Sequence, residues 1–152
     1  MKLTENLSLA EVIYSATALR KGIVNKPTVT HLINLKEVAK NIFQPCREHF
    51  GKPLRVTSGY RSKELNKAIG GSNNSQHSKG EALDMQSTEG YTNRDLFMYI
   101  KDHLSFDQLI GEFPDNVGEF AWVHCSYKTE GNRGEVLIAY KDDNNKTKYA
   151  KW

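Results

Sequence analysis

The stretch that constrains this chain most runs from Val56 to Met85, VTSGYRSKELNKAIGGSNNSQHSKGEALDM. It places His77 and Asp84 seven residues apart, with Gly80 between them. A glycine there lets a histidine-bearing loop turn and feed a short strand, Glu81 to Gln86, that carries the aspartate back towards the histidine. An aspartate following Ala82 and Leu83 in such a strand is costly to bury unless it is paired or bound to a cation. The remaining histidine in a strand-like context is His124, in AWVHCSY. Two histidines and one aspartate leave the fourth position of a tetrahedral zinc site open, the composition of catalytic rather than structural zinc. Taken singly, His77 also reads as an unpartnered loop histidine, and His124 as a core histidine on an aromatic-rich strand.

The rest of the chain predicts one α+β domain over residues 1–152, a length sufficient to bury a sizeable core. The spacing S-x-x-E at Ser8 and Glu11 predicts a capped first helix from Ser8 to Lys21, closed near Gly22. Apolar residues from Leu32 to Cys46 recur at helical steps, predicting a longer helix to Gly51 that kinks or ends early at Pro45. His31 and His49 fall on it and read as solvated or partly packed. A strand from Pro53 to Thr57 leads into the Ser58–Gly59–Tyr60 turn, and polar residues 71–75 read as a mobile loop delivering His77. Thr92 is the expected cap of a helix to Leu104, and Phe106 to Phe113 reads as a strand. In Glu119 to Tyr127, alternation places Trp122, His124 and Ser126 on one face, with Val123, Cys125 and Tyr127 on the other. Two further strands towards Trp152 predict a C-terminal antiparallel meander. Helices first and strands last is the α+β pattern.

Composition excludes several classes. No apolar run approaches the roughly 20 residues of a membrane span, so no membrane insertion is expected. The formal net charge is only +3, from dispersed residues, which argues against nucleic acid as a partner. Residues 1–12 lack the apolar core of a signal peptide, so the chain is expected to be cytoplasmic as synthesised. Cys46 and Cys125 are expected to be free and packed, and the protein monomeric.

The segments TSGYRS, SQHSKGEALD and WVHCSY together resemble peptidase family M15, the zinc D-Ala-D-Ala carboxypeptidases, and in particular its phage-type peptidoglycan peptidases. The likeness runs from about Ser8 to Tyr127, with the motifs in the family's order. It implies an antiparallel sheet with N-terminal helices packed against it, a fold shared with the hedgehog signalling domain, where the metal is kept without established peptidase activity. It implies His77, Asp84 and His124 as ligands of Zn2+. It further implies hydrolysis of a peptide bond in peptidoglycan peptides or another D-Ala-D-Ala-containing substrate, as a carboxypeptidase or an endolysin-type endopeptidase. A phage lytic enzyme, released to the wall on lysis, and a bacterial wall-remodelling enzyme both fit; the contrasting class is a non-catalytic zinc-containing binding module.

A zinc peptidase also needs a base to take a proton from the attacking water. Many members carry that acid three residues before the last histidine, where this chain has Ala121. Glu112, closing FDQLIGE, and Glu119 remain, and the phage-type form of this segment favours Glu112. By the same resemblance Arg61 binds a substrate carboxylate or steadies the developing oxyanion. Ser58, Tyr60 and Gln76 are expected as substrate contacts or supports of the ligands. Each ligating imidazole needs an acceptor for its other N–H, and the sequence names none.

Overall fold

The computed structural model describes residues 1–152. A short hairpin, β1 (Lys2–Thr4) with β2 (Leu7–Ser8), leads into α1 (Leu9–Ile13), where Ser8 and Glu11 form the expected capping box. The helix does not continue to Lys21. Tyr14 is extended, and Ser15 accepts from the Ala18 N–H to start a second helix, α2 (Ala16–Lys21), closed by Gly22. The break leaves two carbonyls for longer-range partners. Val12 O accepts from the Tyr60 N–H at 2.7 Å and Ile13 O from the Asn25 amide at 2.8 Å, docking the SGYRS turn onto α1.

The second long helix runs as α3 (Val29–Val38), a π turn over Ala39–Phe43, and α4 (Gln44–Phe50). Pro45 neither ends nor sharply interrupts it. The ring of a helical proline meets the carbonyl four residues earlier, and one wider turn, with Gln44 N–H reaching Ala39 O, precedes it here. Then follow β3 (Arg55–Ser58), α5 (Lys63–Ala68), a 3-10 turn over Gln76–Lys79, β4 (Ala82–Gln86) and α6 (Asn93–His103). Thr92 caps α6 as expected. The chain closes with β5 (Gln108–Glu112), β6 (Trp122–Ser126), β7 (Glu135–Lys141) and β8 (Thr147–Lys151).

The main sheet has the order β3-β4-β6-β5-β7-β8. Its pairs are antiparallel except β5 with β7, which run parallel, so the C-terminal part is not the expected meander. Residues 127–134 carry the chain across the start of β5, where Gly134 and Glu135 donate to the carbonyls of Phe106 and Asp107. The crossing leaves β7 outside β5 rather than beside β6.

Strand alternation divides the sheet into two chemically distinct faces. Leu83, Met85, Leu109, Val123 and Cys125 are fully buried on one of them, in a single core with Leu35, Ile42, Phe43, Phe97 and Ile100 of the helical layer. Helices therefore cover this face, giving the α+β architecture. The other face carries Asp84, Glu112 and His124, and it stays open to a cleft. Cys46 and Cys125 are free and buried. No helix is long and apolar enough to cross a membrane.

Candidate metal centre

His77 sits in the 3-10 turn, not in a mobile loop. Ser75 Oγ accepts its backbone N–H, Asn34 donates to Lys79 O at 2.9 Å, and the His77 side chain is buried. Gly80 makes the close packing against α3 possible. Its φ of +75° disfavours any side chain, and a Cβ there would stand 2.7 Å from the His31 carbonyl.

Asp84, central in β4, lies directly opposite His124 of β6 in the ladder. Antiparallel register thus brings these two side chains together across 40 residues of sequence. Asp84 Oδ1 lies 3.2 Å from His77 Nε2 and 3.1 Å from His124 Nδ1, and the three ligand atoms fall within 4.8 Å of one another. Zinc bonds of about 2.0–2.1 Å give a tetrahedron edge of roughly 3.3–3.4 Å, which the two Asp84–histidine separations match, so the trio can close on one ion.

The outer nitrogens of both imidazoles have acceptors. His77 Nδ1 lies 2.7 Å from Gly59 O, and His124 Nε2 lies 3.0 Å from Gln76 Oε1. Protons held there leave Nε2 of His77 and Nδ1 of His124 as donors to a cation, so the residues present fit zinc. The Asp84 carboxyl is well placed to remain ionised. Burial works to raise its pKa, but the charge and hydrogen bonds of His77 and His124 prevail and hold it well below the usual carboxylate range.

Arg61 has a task the sequence did not disclose. Its Nη2 donates to Asp84 Oδ2 at 3.1 Å, so that Oδ1 is the oxygen turned to the histidines. Nε donates to Ser58 Oγ at 2.9 Å and Nη1 approaches Asn66 Oδ1 at 3.4 Å. Arg61 still lines the cleft, while Ser58 serves to hold it. Tyr60, expected as a substrate contact, is buried away from the cleft with its ring 4.8 Å from that of His31. Its backbone N–H is committed to Val12, which turns the side chain of the neighbouring residue, Arg61, towards the site. Gln76 lines the cleft and also supports His124.

The cleft over this face has a volume of about 670 Å³, and its only carboxylates are Asp84 and Glu112. Glu112 pairs in register with Trp122, two residues along β6 from His124. Its carboxyl is buried and makes no side-chain hydrogen bond, and burial first, then the nearby Asp84 charge, push it up to about 7 against the opposing pull of His124 and Arg61. Glu119 is occupied elsewhere. Its carboxylate accepts the backbone N–H groups of Asn93, Arg94 and Phe120 at 3.0, 2.8 and 2.9 Å, closing the N-terminus of α6, and it does not line the cleft.

Several cleft residues escaped the sequence reading. Tyr149 stands two strands from Glu112, in the row Trp122–Glu112–Ala139–Tyr149 across β6, β5, β7 and β8. Burial, then Glu112 and Asp84, raise its phenol. Phe113 and Trp122 pack together at 5.4 Å beside it, while Lys128 and Arg133 lie at the opposite end, near Gln108. Asp107, fully buried at the start of β5, pairs with Arg133. An aspartate just before the apolar run LI was the available signal for such a partner.

No curated protein matches the sequence. A family model described as Peptidase M15 matches residues 5–126, a segment that includes Arg61, His77, Asp84, Glu112 and His124. With four-fifths of its length matched and the His–Asp–His trio assembled on one sheet face, the chain belongs to the peptidase M15 family.

Proposed function

We propose that this protein is a zinc peptidase that hydrolyses a peptide bond in the D-amino-acid-containing peptides of bacterial peptidoglycan, with Glu112 as its general base. The observation that carries this reading is the pairing of a buried His77–Asp84–His124 trio with a second, unpartnered carboxylate in one open cleft. A metal used only to stabilise a fold needs no such neighbour. When bound, zinc supplies Lewis acidity to the scissile carbonyl and to the attacking water. Glu112 accepts the proton from that water at a carboxylate oxygen and returns it to the departing amine nitrogen. A carboxyl whose affinity for protons is raised towards neutrality is suited to both transfers. Arg61, held by Asp84, Ser58 and Asn66, presents the Nη1 and Nη2 hydrogens those partners leave free to oxygens of the substrate.

The ends of the cleft support the substrate class. Lys128 offers positive charge to peptide carboxylates, and Phe113, Trp122 and Tyr149 offer an aromatic wall. The test is incubation of the zinc-loaded protein with purified muropeptides, with products read by mass spectrometry. Peptide-bond cleavage that chelation abolishes, and that fails in Glu112→Gln, is the expected result. Intact muropeptides alongside cleavage of unrelated L-peptides would reject the substrate, and no hydrolysis of either would reject the activity.

A further inference from the structure

The hydrogen bonds that orient His124 do not stop at Gln76. Gln76 Nε2 donates to Asp107 Oδ2 at 2.9 Å. Asp107 in turn accepts from Arg133: Oδ1 takes the backbone N–H at 3.1 Å and Nε at 3.0 Å, and Oδ2 takes Nη2 at 2.8 Å. Chemistry fixes the direction of every link. An ionised carboxylate only accepts, so the Gln76 amide faces Asp107 with its NH2 and His124 with its carbonyl. That carbonyl also only accepts, so His124 carries a proton on Nε2.

We propose that Gln76, Asp107 and Arg133 form a positioning chain that commits His124 to presenting Nδ1, not Nε2, to the metal. The chain rests on the reading of His77, Asp84 and His124 as a metal centre. Arg133 is its anchor because Asp107 has no exposure to water, and removal of its cation leaves a buried charge without its main partner. Arg133 lies in the crossover of residues 127–134, beyond the segment that the family model matches. The parallel β5–β7 pairing therefore does more than extend the sheet. It brings a cation from the C-terminal segment to the back of a metal ligand.

Two readouts test the chain. The zinc dissociation constant is measured by competition with a chromophoric chelator, and the His124 Nε2–H is followed by 1H–15N NMR in zinc-loaded and metal-free protein. Gln76→Met, similar in length but without an acceptor, is expected to weaken zinc binding about 10-fold or more and to expose the Nε2–H to rapid exchange. Arg133→Ala, at a half-exposed position, is expected to shift both readouts in the same direction. Unchanged zinc affinity and an unchanged Nε2–H resonance in both Gln76→Met and Arg133→Ala would overturn the chain. If the wild-type protein binds no zinc, the metal-centre reading fails, while the Nε2–H resonance in metal-free protein still decides whether the chain orients His124.

Discussion

Replacing Glu112 by glutamine is expected to stabilise the metal-free fold while removing its chemistry. The carboxyl of Glu112 is raised from 4.5 to about 7 in the folded chain, chiefly by burial. A group raised on folding contributes its full stability below the unfolded value and loses it as pH climbs through the folded one. Each pH unit between the two values is worth about 1.4 kcal/mol, so ionising Glu112 in the fold costs about 3 kcal/mol. Glutamine carries no such cost at any pH. In the presence of a chelator, urea unfolding should therefore give equal stabilities for the two proteins near pH 4. Above pH 8 the variant should lead by about 3 kcal/mol, equivalent to roughly 6–12 °C in melting temperature for a chain of this size. Zinc should shrink the difference, because a nearby dication favours the ionised carboxylate. The variant should also bind zinc and lose turnover by about 100-fold or more. A stability difference that does not change with pH would refute the assignment of an unpaired, desolvated carboxyl; full turnover would refute its role as base.

Four further outcomes follow from the same geometry. His77→Ala, Asp84→Ala and His124→Ala should each lose stoichiometric zinc, read by metal analysis after dialysis, because two remaining ligands hold the ion poorly; retention by two of the three would dismantle the trio. Arg61→Ala should lower zinc affinity about 10-fold as well as turnover, since it frees Asp84 Oδ2; lost turnover at unchanged affinity would assign Arg61 to the substrate alone. Glu119→Gln should leave turnover near wild type but cost about 1 kcal/mol of stability, since it weakens two charge-assisted bonds at the start of α6 and a third to the Phe120 N–H; a collapse of turnover in a folded variant would move the base to Glu119. Gly59→Ala would drive a Cβ into the Val12 backbone and displace the carbonyl that accepts from His77, so both melting temperature and zinc affinity should fall.

Local signals in the sequence reached as far as local physics does. The Ser8–Glu11 and Thr92 caps and the two faces of β6 were legible because each depends on residue types at short, regular spacing, whereas the His77, Asp84 and His124 cluster, with 40 residues between Asp84 and His124, was legible only through its motifs' resemblance to a known family. Tertiary bonds decided the rest. The first helix broke at Tyr14 where Val12 and Ile13 were recruited by Tyr60 and Asn25, neither of them a neighbour in sequence. Pro45 was absorbed by a wider helical turn, an outcome that the proline alone does not specify. Residues 71–75 look mobile by composition, yet Asn66 donates to Ser72 O at 2.6 Å and Ser75 caps the turn that holds His77. The β5–β7 pairing was hidden because nothing local distinguishes a hairpin return from a crossover. The deciding contacts, Arg133 and Glu135 on Asp107, are 26 residues or more apart in sequence and become visible only once β5 is buried.

The proposed choice of Glu112 over Glu119 rests on the fold, because residue type alone leaves the question open. Both are glutamates near the ends of the same β5–β6 connection, and both could reach a site drawn only as a hairpin. The difference comes from what else needs a negative charge. The first backbone N–H groups of α6 have no partners within their own helix, and Glu119 supplies acceptors for two of them. That commitment, with the Phe120 N–H, occupies its carboxylate at the start of α6. Glu112 has no such claim on it. Alternation along β5 turns it to the same face as Gln108, away from Leu109 and the core, so its carboxyl enters the cleft without a hydrogen-bond partner. Burial without a partner keeps its proton affinity high, and its neighbours in the row across the sheet, Trp122 and Ala139, offer no carboxylate-binding group. On the proposed reading, the acid missing at Ala121 is supplied from the neighbouring strand, where the ladder holds the Glu112 carboxylate near His124 without making it a ligand.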